Sequence, residues 1–315
     1  MSFTSVPERE FRLQRSVLSV PAINPKLFEK ALNSDADYVM LDCEDSVSPA
    51  DKPQARNNVI AALREIDWEA RGKNLMVRIN GLDTHFSYRD VVDIVEQGGT
   101  AIRSVMLPKA GCASDIYVLD CLLSQIETAI GMSNRIAIEA MIESALGAIN
   151  VKEIAASSDR LQALHFGAGD FAASCGARTV NIGGLNPDFP GDLWHPVLQD
   201  IVVACRANGL RPVDSAFGDY QDRDGYLASV KRAAALGYSG KWAIHPSQIE
   251  LANEVMTPSK GEVEHAQRVL QAMREAQNEG RGAATLAGKM IDIASIRMAQ
   301  NIVQLDQAIK KTKIL

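Results

Sequence analysis

The chain has 315 residues, 46% of them hydrophobic and 23% charged, with a net charge of −6. That length suits one large α/β domain with an added piece better than two equal domains. The acidic balance argues against a nucleic-acid partner, no apolar run reaches the length of a membrane span, and the mixed-charge N-terminus shows no secretory signal.

In chain order, short apolar runs alternate with segments of helical spacing. RSVLSV (15–20) and ADYVMLDCE (36–44) read as the first two strands, followed by a helix over Lys52–Arg64. NLMVRIN (74–80) and SVMLPK (104–109) read as strands, with a helix over Ser114–Ile130. IAIEAMIE (136–143) is a strand before a helix over Ala145–Ala156, and LQALHFG (161–167) is the sixth strand. The stretch NIGGLNPDFPGDLW (181–194) is rich in Gly, Pro, Asn and Asp and reads as a long functional loop. RPVDSAF (211–217), a helix over Asp222–Leu236 and KWAIHP (241–246) complete the series. Eight strands with intervening helices predict a closed parallel (β/α)8 TIM barrel; the alternative is an open doubly wound sheet. No glycine-rich phosphate fingerprint follows the first strand, which weakens that alternative.

Beyond Pro246 the pattern is helix only. Ser259 with Glu262 three residues on forms a capping-box signature, and Val263, Ala266, Leu270 and Met273 repeat at helical spacing. NEGRGAA interrupts this helix, and another runs from about Asp292 to Lys311. The predicted division is a barrel over 1–255 and a C-terminal helical piece over 256–315. The five cysteines, Cys43, Cys112, Cys121, Cys175 and Cys205, lack metal-type spacing and point to reduced thiols in a cytoplasmic protein.

Strand parity then selects a site. In IAIEAMIE the branched Ile136, Ile138 and Ile142 share one face, suited to the helix layer. Glu139 and Glu143 share the other and point into the barrel. Glu143 falls at the C-terminal strand end, where barrel enzymes carry their chemistry. Glu139 lies one layer deeper and requires a partner there. The same parity puts Arg78 near the end of its strand, and Asp170 follows the sixth strand. Two carboxylates at neighbouring strand ends repel each other unless a divalent cation lies between them, and Mg²⁺ accepts such oxygen donors. Asp42, Glu44 and Asp45 of LDCEDS are either a solvated loop or acceptors for the metal's waters. His85, His165 and His245 read as structural, and Trp194 and Trp242 as packing.

RSVLSVP, YVMLDCEDSVSPADK, VRINGLDT, VMLPKAG, AMIESALG, LHFGAGDFAAS, ACRANGLRPVD and GKWAIHPSQI together resemble the acyl-CoA lyase branch of the citrate lyase β-subunit-like (aldolase/citrate lyase) family. The likeness runs from about Arg15 to Gln300, and GKMIDIASIRMA (288–299) resembles the lid segment of its malyl-CoA/β-methylmalyl-CoA lyases. The resemblance implies a barrel with a C-terminal helical lid, assembled as a homotrimer or homohexamer. It implies Mg²⁺ (or Mn²⁺) held by Glu143 and Asp170, a catalytic Arg78, a lid acid at Asp292 acting as base, and Arg15 contacting the phosphates of coenzyme A. Glu44 and Asp45 would hold the metal's waters. The implied reaction is reversible cleavage of malyl-CoA to glyoxylate and acetyl-CoA, or of its methyl homologue to propionyl-CoA. Partners are then an acyl-CoA and a 2-oxo acid, with no nucleic acid and no membrane. The chain departs from the lyases with PAIN (21–24) after the first strand, FGAGD before Asp170, a shorter loop after IGG and Ser215-Ala216. Malyl-CoA thioesterase, malate-synthase-like and citramalyl-CoA lyase activities are alternatives, as are a CoA-independent aldolase and a non-catalytic acyl-CoA-binding subunit.

Overall fold

Eight strands, each only four to six residues long, pair in parallel and in sequence order: β1 (Ser16–Pro21), β2 (Tyr38–Asp42), β3 (Asn74–Arg78), β4 (Ser104–Leu107), β5 (Ala137–Ile142), β6 (Leu161–Phe166), β7 (Arg211–Asp214) and β8 (Gly240–Ala243). The computed structural model describes residues 6–179 and 181–312. β8 returns to β1 through Ser16↔Lys241 and Val17↔Trp242, so the sheet closes into a (β/α)8 barrel. Each expected strand is present within about two residues at its start.

The two-residue strand period sorts the side chains. Val17, Tyr38, Met40, Met76, Met106, Met141, Ala163, Val213 and Trp242 pack together in one buried cluster inside the barrel. Four methionines there fill an irregular interior with flexible thioether chains. The alternate residues Val39, Leu41, Leu75, Val77, Val105, Ile138, Ile142 and Leu164 are also buried. The strands are therefore covered on both faces, as parallel strands require. Each large aliphatic chain so buried contributes about 1.5–3 kcal/mol.

The surrounding helices follow local rules. Lys52–Glu65 buries Ala55, Val59, Ala62 and Leu63 at helical spacing. Arg223–Leu236 is capped by Asp222, whose carboxylate accepts from Gly225 N at 2.9 Å, and it stops at Gly237 with φ of 102°. The helix expected over 145–156 is two short ones, Ala145–Ile149 and Val151–Ala155. They meet at Asn150, whose side-chain amide donates to the Gly111 carbonyl at 2.8 Å and ties the break to the preceding loop.

The chain divides into two compact units, Met1–Asn253 and Glu254–Leu315. In the second, the helix Lys260–Asn278 begins with the expected capping box: Ser259 Oγ accepts from Glu262 N, and Glu262 Oε2 accepts from Ser259 N at 2.8 Å. The expectation of helix alone is corrected here. A hairpin of β9 (Ala284–Leu286) and β10 (Lys289–Ile291) stands between the two long helices. Its turn residues Ala287 (φ 50°) and Gly288 (φ 76°) are both left-handed, as a tight two-residue hairpin turn demands. The helix Ile293–Thr312 follows. Ala266, Val269, Met273, Ala276, Ala284, Ile291 and Ala299 form this unit's own core. Among the described residues, no helix is long and apolar enough to cross a membrane.

Candidate active site

The C-terminal ends of β1, β2, β3, β5 and β8 and the turns after β6 and β7 surround a cavity of about 410 Å³. Asp42 ends β2 and Arg78 ends β3, and the strand register sets them side by side. Asp42 accepts from Arg78 Nε and Nη2, each at 2.7 Å, in a bidentate fork. It also accepts from the backbone N–H of Glu44 at 2.8 Å and of Ser46 at 3.2 Å. Burial would raise the pKa of Asp42, but the Arg78 charge and these donors outweigh it and hold the carboxyl below its ordinary range. Arg78 Nη1 lies 3.0 Å from Glu44 Oε2 and 3.6 Å from Asp45 Oδ2. Burial alone would lower the arginine's pKa, yet these acids raise it, so its charge is permanent. The solvated-loop reading of LDCEDS is thus wrong for Asp42 and Glu44, which are buried, and fits the exposed Asp45.

Glu143, one residue past β5, is 3% exposed. Its Oε1 accepts from the backbone N–H of Lys109 at 2.7 Å. Lys109 takes a left-handed φ of 53°, which turns that N–H toward the glutamate, while its ammonium bonds Glu44. Sequence reasoning gave Lys109 no role; a strained backbone at a non-glycine residue leaves no mark in VMLPKAG. Burial, and next the Asp170 charge, push Glu143 up to about 8. Asp170 lies in the first turn of the helix Ala168–Ser174 and lines the same cavity. Gly167, between them in the chain, matters because it lacks a side chain. A Cβ there would stand 2.5 Å from Glu143 Oε2 and 2.9 Å from Met141 Sδ.

The donor set fits a divalent cation. Five carboxylates (Asp42, Glu44, Asp45, Glu143 and Asp170) meet two cations (Arg78 and Lys109) at this end of the barrel. Asp42 and Glu44 already neutralise Arg78 and Lys109, and the exposed Asp45 lies 3.6 Å from both cations, which leaves Glu143 and Asp170 as uncompensated hard oxygen donors. Among the described residues no group of three His, Cys, Asp or Glu side chains forms a metal cage. Two protein carboxylates with water and substrate oxygens are the usual Mg²⁺ arrangement, and Mn²⁺ accepts the same donors. The cavity's apolar wall includes Phe166, Ile182, Ala216, Trp242 and Ile244. Ile182 is brought there by its loop, whose carbonyl accepts from Gly218 N at 2.9 Å. Of the PAIN stretch (21–24), Pro21 lines the cavity and Ile23 does not.

Glu139 has the deep partners its position required. It accepts from Gln14 Nε2 at 2.7 Å, Ser104 Oγ at 3.0 Å and His165 Nε2 at 2.6 Å. Burial would raise its pKa; the His165 bond, the Arg211 charge and Gln14 outweigh this and hold it at about 2.

One expected site residue, Arg15, is not brought to this mouth, and another, Asp292, lies in the other unit. Arg15 precedes β1, at the opposite end of the barrel, where its guanidinium forks onto Asp37 at 2.8 and 2.9 Å. Its expected contact with coenzyme A phosphates is corrected on that ground: the side chain is committed at the wrong end. Asp292 belongs to the second unit. It is half-buried and caps the helix Ile293–Thr312, accepting from Ala294 N at 3.0 Å and Ser295 N at 3.1 Å. The Ser295 N–H, then that of Ala294, hold its carboxyl below the ordinary range.

The family model described as HpcH/HpaI aldolase/citrate lyase matches residues 15–246. An L-malyl-CoA/β-methylmalyl-CoA lyase of Rhodobacter capsulatus is 50% identical over 313 residues, covering 96% of this chain and 98% of that protein. A solved structure of CitE from Mycobacterium tuberculosis, in complex with magnesium, acetoacetate and coenzyme A, is 31% identical. It aligns with a TM-score of 0.74 over 93% of this chain and 97% of its own. A citrate lyase structure from Burkholderia xenovorans, at 23% identity, shares the fold with a TM-score of 0.83 over 95% and 93% of the two chains.

Proposed function

The chain belongs to the HpcH/HpaI aldolase/citrate lyase family, and from that premise we propose that it is a magnesium-dependent lyase cleaving malyl-CoA reversibly to glyoxylate and acetyl-CoA. Cleavage of β-methylmalyl-CoA to propionyl-CoA is the same reaction with one more methyl group. At the coarser level it is a carbon–carbon lyase acting on CoA esters, as its relatives at about half identity are named. One observation carries the finer reading: Glu143 and Asp170 share one cavity with a permanently charged Arg78.

Glu143 and Asp170 would hold Mg²⁺, or Mn²⁺ in its place. The bound cation would act as a Lewis acid toward the keto oxygen of the 2-oxo acid. Arg78 supplies a fixed positive charge for the thioester enolate oxygen, and Asp42 and Glu44 keep its guanidinium from swinging away. Glu44 and Asp45 are proposed as acceptors for water around the cation. In the condensation direction, Asp292 takes a proton from the acetyl-CoA methyl group. The resulting carbon nucleophile attacks the keto carbon of glyoxylate. In cleavage the hydroxyl gives its proton to a water molecule as the carbonyl of glyoxylate forms, the C–C bond breaks, its electron pair enters the thioester enolate, and protonated Asp292 gives its proton to the enolate carbon, to be reprotonated from water. A carboxylate held low by helix N–H groups is a weak base in water, so this role requires water to be excluded around Asp292.

The second unit is proposed as a lid, and the assembly as a homotrimer or homohexamer, which light scattering would read directly. The five unpaired cysteines support a cytoplasmic setting. The test of function is product analysis on malyl-CoA with Mg²⁺. Glyoxylate and acetyl-CoA in equal amounts support the lyase; malate and free CoA would make the chain a thioesterase. Turnover of citramalyl-CoA to pyruvate in preference to malyl-CoA would reassign the substrate.

A further inference from the structure

The barrel axis carries a continuous run of buried polar contacts that ends at Arg78. The Arg78 guanidinium carbon lies over the Trp242 ring, 5.5 Å from its centroid. An indole N–H can only donate, and that of Trp242 donates to His165 Nδ1 at 2.8 Å. Nδ1 therefore carries no proton. His165 is neutral, its proton sits on Nε2, and it is given to Glu139 at 2.6 Å. Glu139 is fixed in turn by Gln14 and Ser104, with Arg211 Nη2 3.6 Å away. Glu139 and His165 are fully buried and Trp242 is 5% exposed.

Asp42 and Glu44 hold the Nε, Nη2 and Nη1 atoms of Arg78. The guanidinium carbon itself stands over the ring of Trp242. We infer that Trp242, oriented by His165, is a positioning residue that sets the plane of the Arg78 guanidinium toward the cavity, an inference that rests on the lyase reading for its effect on rate. Glu139 is then an anchor for that alignment as well as a satisfied core acid.

The test uses the full chain and four variants: Trp242→Leu, Trp242→Phe, His165→Phe and His165→Gln. Two readouts are taken: kcat and KM for malyl-CoA with Mg²⁺, and the Arg78 Nε–H and Trp242 indole N–H signals by ¹⁵N NMR without substrate. Trp242→Leu should lower kcat by about tenfold or more with KM within about twofold, because misplacing a catalytic group costs rate rather than binding. Trp242→Phe keeps a ring face but loses its anchor, and should fall between Trp242→Leu and the wild type. His165→Phe should shift the indole signal and lower kcat. His165→Gln, which retains one acceptor and one donor, should recover most of it. The Arg78 signal should broaden or move in the same order. Wild-type kcat in Trp242→Leu with an unmoved Arg78 signal would overturn the inference. If Trp242→Leu does not fold, the same unchanged pair in Trp242→Phe overturns it. A wild type without lyase turnover would refute the function, while the NMR arm would still decide the positioning.

Discussion

Gly167 and Glu143 share a space that holds only one side chain: a Cβ at 167 would stand 2.6 Å from Glu143 Cβ and 2.5 Å from its Oε2. The φ of Gly167 is −111°, which any residue adopts, so the glycine is required by contact and not by backbone conformation. Gly167→Ala should fold and should push the Glu143 carboxylate off its bond with Lys109 N. We expect kcat/KM to fall about a hundredfold, with Mg²⁺ affinity weakened in calorimetry. An alanine variant with wild-type Mg²⁺ affinity would show that the carboxylate does not need that position.

Metal binding should be visible apart from turnover. Chelation should abolish cleavage and Mg²⁺ should restore it. At free Mg²⁺ a hundred times its Kd, linkage adds about 2.7 kcal/mol to unfolding stability, read as a rise in melting temperature. Glu143→Ala and Asp170→Ala should remain folded, lose turnover and lose that rise. A full Mg²⁺ shift in either variant would place the ion elsewhere.

The buried pair Glu139–His165 gives a pH dependence of stability with a defined sign. The folded pKa of His165 lies below its ordinary 6.5, because burial outweighs the pull of Glu139. Below pH 6.5 the unfolded chain binds a proton that the folded chain refuses, so stability falls as pH falls, by at most about 1.4 kcal/mol per unit for each such proton. Glu139 has a folded value of about 2 against an ordinary 4.5. Its contribution is complete above 4.5 and is lost as pH falls toward 2. Urea denaturation of Glu143→Gln, which removes the opposing titration of that raised carboxyl, should show between pH 8 and 4 a stability plateau at the alkaline end and a decline beginning near pH 6.5. Adding His165→Gln to that variant should flatten the upper part of the decline; a flat profile with His165 still present would mean that it is not held neutral.

Asp292 offers a clean separation of two roles. Asparagine caps a helix as well as aspartate does but cannot accept the substrate proton. Asp292→Asn should therefore keep the wild-type melting temperature while losing turnover and the exchange of acetyl-CoA methyl protons with solvent. Asp292→Ala should lose the cap as well. Unchanged exchange in Asp292→Asn would remove this residue as the base.

The barrel was legible because eight apolar runs with a two-residue period leave few other arrangements. That period also turned Glu139, Glu143 and Arg78 to the inside of the strands. What sequence could not show depends on contacts between distant segments. The Asp42–Arg78 fork depends on the β2–β3 register, and the Lys109–Glu143 bond on a left-handed backbone turn. His165 and Trp242, read as structural and as packing, turn out to be hydrogen-bonded to each other across 77 positions. Arg15 was assigned by family likeness alone; it precedes β1, which by itself puts it at the N-terminal end of the strands. The hairpin over 284–291 escaped notice because its strands are three residues long and its turn is Ala-Gly.

The most direct measurement is anomalous diffraction from crystals grown with Mn²⁺ and glyoxylate. The expected result is one strong peak within coordination distance of Glu143 and Asp170, beside the Arg78 guanidinium. Those two carboxylates turned apart, with no peak between them, would contradict the proposed centre.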